Sequence, residues 1–365
     1  IWIWNDVSAS ETTTSFKWRE FYRALFTANY TIESENMIEE GTADEVRQLV
    51  GESYMLRAYV HFLLVNLYGE PYTHCDPATS KAIPLKLNSD TEAVLTRNTV
   101  GEVYSSILSD LVEAEKYLNV DKWELGYNYR FTTLAVNALR SRVYLYMGDW
   151  AKSFEASEAV LSVNNQLVDM SSSTILPNEY NSSENILALE EVMNAQYVRA
   201  AKVATSLWKL YGTGDLRKSK YFKQVTASNI QVIKGGSNQY RCSFRVGEIY
   251  LNAAEAALMT GEAAIDVARE NLLTLMEKRY TANAYAAKEA AVNAMGRDEL
   301  LQEIYNERTR ELAFEGHRWF DLRRTTRPRL EKTFGGTSYV LEENDSRYTI
   351  RIPSEAIEAN PGLAN

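Results

Sequence analysis

Apolar residues recur at helical intervals along most of the chain, and the interruptions are polar or glycine-rich. Phe16, Trp18, Phe21, Tyr22, Leu25 and Phe26 predict a helix within 16–38. Val46, Leu49, Val50, Tyr54, Tyr59, Phe62, Leu63 and Tyr68 predict a second within 43–68, stopped by Gly69 and then Pro71. Residues 70–97 hold no sustained period and read as a loop. Thr99 with Glu102 three positions on has the spacing of a reciprocal N-cap. A helix is therefore expected to start there and run through Tyr104, Ile107, Leu111 and Leu118.

Two later stretches repeat one design. Helical patterns over 131–147 and 151–163 flank Gly148–Asp149–Trp150, and patterns over 246–259 and 262–279 flank Gly261. Helix–turn–helix pairs of about 34 residues are the unit of tetratricopeptide-like stacks, in which no pair buries its apolar stripe alone. Degenerate copies fall at 16–68 and 99–147. The texture changes over 164–240, where Ser171–Ser172–Ser173, Pro177–Asn178, Asn181–Ser182–Ser183, Gly212, Gly214 and Gly235–Gly236 mark turns. Strands are expected there at Ile186–Leu189 and Ile230–Ile233, and the tail 323–365 is expected to be irregular. The fold class read from the pattern is mainly α. Tetratricopeptide-like helix pairs form a superhelical scaffold and carry an irregular loop-rich lobe with short strands. The whole of 1–365 reads as one domain, with scaffold at about 16–163 and 241–322, an insertion at about 164–240, and the C-terminal tail.

Charge narrows the function classes. The 39 Lys and Arg against 49 Asp and Glu give a net charge of −10, which disfavours nucleic acid as a partner. With 3 His and 2 Cys there is little material for a metal or thiol site. Cys75 and Cys242 form no CxxC pair, and sequence leaves open whether they meet. His74 beside Cys75 and Asp76 would need ligands from elsewhere, and no nucleotide, zinc-hydrolase or calcium-loop motif occurs, so no metal and no cofactor are expected. No apolar run reaches the length of a membrane-spanning helix. The chain opens on Ile1 without a basic-then-apolar leader, as expected of a trimmed sequence.

Two groups of residues remain as candidates. In the charged stretch 304–324, Arg308, Glu311, Glu315 and Arg318 follow at steps of 3, 4 and 3, which on one helix would make a ladder of ion pairs. Carboxylates neutralised in this way suit a structural lock better than acid–base catalysis. The second group is the aromatics of the non-helical segments: Trp2, Trp4, Trp123, Tyr127, Tyr180, Tyr197, Trp208 and Tyr211, with Tyr129 beside them. Loop aromatics can stack on the apolar face of a sugar ring while amides and arginines bind its hydroxyls.

Several segments resemble, in order, the SusD/RagB-like nutrient-binding lipoproteins of the Bacteroidetes outer membrane. They are Trp18–Arg19–Glu20–Phe21–Tyr22, the stretch from Gly51–Glu52–Ser53–Tyr54 to Tyr68–Gly69–Glu70–Pro71–Tyr72, and Arg97–Asn98–Thr99–Val100–Gly101–Glu102. The series continues with Arg245–Val246–Gly247–Glu248–Ile249–Tyr250–Leu251–Asn252, the run Glu307–Arg324, and the ending Ile352–Pro353 through Asn360–Pro361. The resemblance covers about 16–365. It implies a non-catalytic role: binding an oligosaccharide or other nutrient at the cell surface and delivering it to a SusC-like TonB-dependent outer-membrane transporter. It implies a surface-exposed lipoprotein of the outer membrane, held only through a lipid anchor. No Cys opens this chain, so the anchor is expected from kinship alone, and an N-terminal stretch of the family domain is expected to lie outside it. The motifs are scaffold motifs and transfer no ligand residue, so the loop aromatics stand on their own chemistry. The alternatives are a helical-repeat protein-interaction scaffold without a small ligand and, after it, a glycoside hydrolase needing two unpaired carboxylates in a cleft.

Overall fold

Local signals set several helix ends directly. Thr42 N donates to Glu45 Oε2 at 2.7 Å while Glu45 N donates to Thr42 Oγ1 at 3.3 Å. Thr99 and Glu102 make the same reciprocal pair at 2.8 and 3.2 Å, as their spacing predicts. Gly148 ends another helix in the left-handed region at φ 73°, and the Asp149 side chain then caps the next. The computed structural model describes Trp4, 17–227 and 229–364.

In chain order the helices are α1 (Trp18–Glu33), α2 (Ala43–Tyr68), α3 (Val100–Tyr117), α4 (Thr133–Met147) and α5 (Trp150–Leu161). Then come α6 (Ala195–Ala200), α7 (Thr205–Leu210), α8 (Arg217–Tyr221), α9 (Val246–Thr260), α10 (Ile265–Glu277), α11 (Ala282–Ala294), α12 (Arg297–Glu311), α13 (Arg318–Arg324) and α14 (Ser354–Ala359). The strands are β1 (Asn185–Leu187), β2 (Phe222–Thr226), β3 (Asn229–Val232), β4 (Phe244–Arg245), β5 (Leu330–Phe334) and β6 (Thr337–Leu341), paired antiparallel as β1–β4, β2–β3 and β5–β6. The protein is mainly α-helical with short strands; α1 and α2, α4 and α5, and α9 and α10 pack as the consecutive pairs predicted over 16–68, 131–163 and 246–279, whereas α3, expected to pair within 99–147, packs on α2 instead. It divides into two compact units, Ile1–Val120 with Trp319–Asn365, and Asp121–Arg318.

In the first unit α2 packs on both α1 and α3. Val50, Met55, Ala58, Phe62 and Leu64 are buried with Val103, Ile107, Leu111 and Ala114. Arg57 ties three helices together. Its Nε and Nη2 donate to the Asp110 carboxylate at 3.0 and 2.6 Å, and its Nη1 donates to Asn29 Oδ1 at 2.8 Å. His61 is fully buried nearby, and its Nε2 accepts from Lys86 N at 3.3 Å. The tail departs from the expected irregularity. Gly335 and Gly336, at φ 58° and 81°, supply the two positive-φ positions of a tight hairpin turn between β5 and β6. Leu341 and Tyr348 are buried there with Trp4.

In the second unit α4 packs on α5, α5 on α9, and α9 on α10 and α12. Every residue of α9 from Val246 to Leu258 is buried, so this helix has no solvent face and must satisfy Glu248, Asn252 and Glu255 internally. The insertion is also more ordered than expected: α6, α7 and α8 lie where loops were anticipated. Helices of five or six residues are too short to print a period on the sequence. Both cysteines are free thiols.

Candidate functional site

The charged run 304–324 builds a different object from the expected ladder. Helix α12 ends at Glu311, because Phe314 and Gly316 take positive φ values of 63° and 87°. Glu315 and Arg318 therefore lie beyond α12, with Arg318 exposed at the start of α13. Partners come from distant segments instead. Glu311 accepts from Arg245 Nη1 at 2.6 Å, from Arg217 Nη1 at 2.9 Å and from Arg279 Nη2 at 2.9 Å. Glu315 accepts from Arg245 Nε at 2.8 Å and pairs with Lys234. Arg308 donates to Asn252 Oδ1 at 2.7 Å. Glu184 joins the cluster through Arg279 at 2.6 Å and Arg245 at 3.2 Å, and Arg217 also grips Asp215 and Glu307.

Burial alone would raise these carboxyls. Arg279, Arg245 and Arg217 nevertheless hold Glu311 well below the usual range, and Arg245 with Lys234 brings Glu315 down to about 2. Held in this way, both carboxyls are favoured in the ionised form beside their cationic partners. Gly247 sits against the cluster. A Cβ there would collide with the Arg245 guanidinium and lie 2.9 Å from Glu184 Oε2.

The aromatics separate by burial. Trp4 is in the core with Leu341 and Tyr348, with the Lys332 ammonium 4.4 Å from its ring centre. Tyr211 is buried and its hydroxyl donates to Arg310 O at 2.7 Å. Trp208 is half-buried between an edge-on contact with Phe222 and the Lys218 ammonium. Burial takes both faces of Trp4 and Tyr211 away from solvent. Tyr197 is exposed on α6. Trp2 lies outside the described residues.

One set is brought together on neighbouring loops. Asn128 Nδ2 donates to Tyr180 O at 2.6 Å and Ala188 N donates to Asn128 O at 2.9 Å, so segment 121–131 lies on segment 178–188. Tyr180 N donates in turn to Gln239 O at 2.9 Å, adding segment 237–241. Tyr127 and Tyr180 are 50% and 36% exposed, and Tyr129, named only as their neighbour, is 44% exposed. Trp123 is fixed beside them: its Nε1 donates to Phe131 O at 3.1 Å and Arg130 stacks 3.9 Å from its ring centre. These bonds set the loops that carry the exposed Tyr127, Tyr129 and Tyr180 side by side, with Asn128 and Gln239 at their junction. The sequence offered none of the amides Asn128, Asn181, Asn185 and Gln239 as a binding residue, and Asn181 only as a turn marker, because isolated amides in a loop carry no spacing signal. Among the described residues, no group of three or more His, Cys, Asp or Glu is placed to hold a metal ion. No helix among them is long and apolar enough to cross a membrane.

Residues 142–364 match the family model described as "SusD family". The chain belongs to the SusD family. Residues 1–145 of this SusD-family chain match a second model, described as "Starch-binding associating with outer membrane". It is 29% identical over 160 residues to SusD-like protein P38 of Formosa agariphila, covering 44% of this chain and 29% of that protein. It is 30% identical over 150 residues to SusD-like protein P2 of the same organism, covering 41% and 27%. The chain thus spans less than a third of the length of either curated relative. Its fold is that of a SusD superfamily protein from Bacteroides thetaiotaomicron, with a TM-score of 0.83, 23% identity, and coverage of 99% of this chain and 87% of that one. A SusD-like carbohydrate binding protein from Bacteroides vulgatus gives a TM-score of 0.73, 20% identity, and coverage of 95% and 83%.

Proposed function

We propose that this protein binds an oligosaccharide without altering it chemically, on the face formed by Tyr127, Tyr129 and Tyr180. It acts at the outer membrane as a surface-exposed lipoprotein and delivers its ligand to a SusC-like TonB-dependent transporter. The observation that carries the binding reading is the junction of three loops around Tyr180, which sets exposed tyrosines beside side-chain amides on an ordered helical frame. Rings of this kind offer flat apolar area at little entropy cost, and amides supply donors and acceptors for hydroxyls. The description of the model matching 1–145, and the carbohydrate-binding name of the Bacteroides vulgatus neighbour, support the ligand class and the setting. The paired, ionised state of Glu311 and Glu315 supports binding without turnover, since a general acid needs a raised pKa.

A glycan array followed by calorimetry tests the reading. Binding of at least one oligosaccharide, weakened by Tyr180→Ala with no release of reducing ends, is the expected result. Hydrolysis of the bound glycan, or indifference to every tyrosine of the face, would refute it.

A further inference from the structure

Charge is spread unevenly along this acidic chain. The stretch between Glu191 and Glu248 holds ten of the 39 Lys and Arg but only one of the 49 Asp and Glu, Asp215. Arg217, Lys234 and Arg245 are taken up by the buried carboxylates of Asp215, Glu307, Glu311 and Glu315. Arg199, Lys202, Lys209, Lys218, Lys220 and Lys223 pair with no carboxylate of the described residues. Four of these six, Arg199, Lys202, Lys209 and Lys223, are exposed. Lys218 Nζ and Lys220 Nζ donate only to backbone, to Tyr211 O at 2.9 Å and Ser173 O at 2.6 Å.

One small core gathers these cations. Ala201, Val203 and Trp208 pack on the buried Tyr211, Tyr221 and Phe222. Lys202 therefore stands between two residues of that core, Lys209 directly follows Trp208, and Lys223 directly follows Phe222. The Trp208 and Phe222 rings meet edge-on with centres 6.0 Å apart, and the Lys218 ammonium is 4.5 Å from the Trp208 ring centre. The lobe also adjoins the tyrosine loops. Gly236 N donates to Met193 O at 2.8 Å and Tyr180 N donates to Gln239 O at 2.9 Å, so the turn between them is bonded to the start of this stretch and to the Tyr180 loop. Protein surfaces usually intersperse the two signs, which limits self-repulsion. A single-sign lobe on a chain of net charge −10 instead creates a local field that draws anions against the overall repulsion.

We infer that this lobe is a cationic landing surface that makes the protein prefer polyanionic glycans, whose rings carry carboxylate or sulfate groups in series. This rests on the glycan-binding reading of the tyrosine face and adds the charge class of the ligand. Lysine ammoniums on flexible stems act as mobile point charges, suited to a polymer with repeated charges and not to one fixed oxyanion. They draw the chain in at range while the tyrosines hold its apolar faces, so the gain falls mainly on the association rate.

Binding kinetics and calorimetry with an oligogalacturonate, a sulfated galactan oligosaccharide, a neutral galacto-oligosaccharide and inorganic polyphosphate decide the matter. At about 50 mM salt at least one charged glycan binds about tenfold tighter than the neutral one, and about 500 mM salt erases most of that preference. Whichever charged glycan leads identifies carboxylate or sulfate as the preferred group. The triple variant Lys202→Gln, Lys209→Gln, Lys223→Gln removes exposed side chains that make no bond in the protein, so folding is unaffected. It slows association of the charged glycan about fivefold and changes neutral binding less than about twofold. Removing three charges elsewhere, as Lys17→Gln, Arg19→Gln and Arg23→Gln at the exposed start of α1, changes charged binding less than about twofold. Equal binding of charged and neutral glycans, a preference that survives the triple variant, or an equal loss in the α1 variant overturns the inference. Polyphosphate bound as tightly as the best glycan, and indifferent to Tyr180→Ala, overturns it too, since the lobe would then hold any polyanion. Should the neutral ligand still bind and depend on Tyr180, the glycan face stands and the charge preference alone falls. If no oligosaccharide binds, both fall.

Discussion

Glu248 on α9 accepts from Arg142 Nε at 2.7 Å and from its Nη2 at 2.6 Å, a two-pronged bond between α4 and α9 with both side chains out of solvent. Burial opposes the charge on Glu248, yet Arg142, together with His317 and Arg308, keeps its carboxyl below the ordinary range. The pair joins one helix–turn–helix unit to the next, which is how stacked pairs share a core that neither could bury alone.

Breaking that pair from one side should be costly. Glu248→Gln takes from the buried Arg142 the carboxylate it grips with two bonds, and chemical denaturation should show a loss of about 3–5 kcal/mol. Replacing both, as Arg142→Met with Glu248→Leu, should recover most of the loss, because desolvating two ions consumes much of what their attraction returns. A double variant as unstable as the single would contradict this.

Gly247 offers a test in which two known effects oppose each other. A helix-interior Gly→Ala change ordinarily stabilises by about 1 kcal/mol. Here the added methyl would press on Arg245, Glu184 and Glu311, and Gly247 N already donates to Glu184 Oε2 at 3.2 Å. Gly247→Ala should therefore destabilise by about 2–3 kcal/mol in the same assay. A neutral or stabilising result would mean the charge cluster can shift.

Mild acid should weaken the first unit through His61. Burial first, then the nearby Arg57 charge, pushes its imidazole from 6.5 down to about 3. The folded state thus keeps His61 neutral where the unfolded chain takes up a proton. The corresponding stability is whole above pH 6.5 and is lost as the pH falls toward 3. Between pH 7 and pH 5 this amounts to about 2 kcal/mol. His61→Gln, which can still accept from Lys86 N, should show a correspondingly shallower decline over that interval.

At the tyrosine face, Tyr127→Ala and Tyr180→Ala should each reduce oligosaccharide affinity about five- to tenfold, the effect of about 50 Å² of apolar contact. The melting temperature should hardly move, because both rings are substantially exposed. Tyr211→Ala should behave in the opposite way. It would empty core space against Phe222 and remove the bond to Arg310 O, so loss of stability should precede any change in binding.

Much of the frame was legible in the sequence because helix signals are local. The cap at Thr99, the stop at Gly69 and the pairs around Gly148 and Gly261 each depend on residues within a few positions. The short helices α6 to α8 were not legible, since one turn and a half carries no period. The hairpin β5–β6 could have been: Gly335–Gly336 between Leu330–Phe334 and Thr337–Leu341 is a turn signal that the expectation of an irregular tail passed over.

The long helices, the α4–α5 and α9–α10 pairs, and membership of the family whose motifs they carry followed from the chain alone, because apolar period and capping chemistry act between near neighbours. Which aromatic ring meets solvent did not. Tyr180 and Tyr211 are the same residue type in similar surroundings along the chain, yet one lies open beside Asn128 while the other is sealed against Phe222. Burial, like the choice of Arg217, Arg245 and Arg279 as partners of Glu311, is set by contacts between segments dozens of residues apart, and only the folded chain brings these into range.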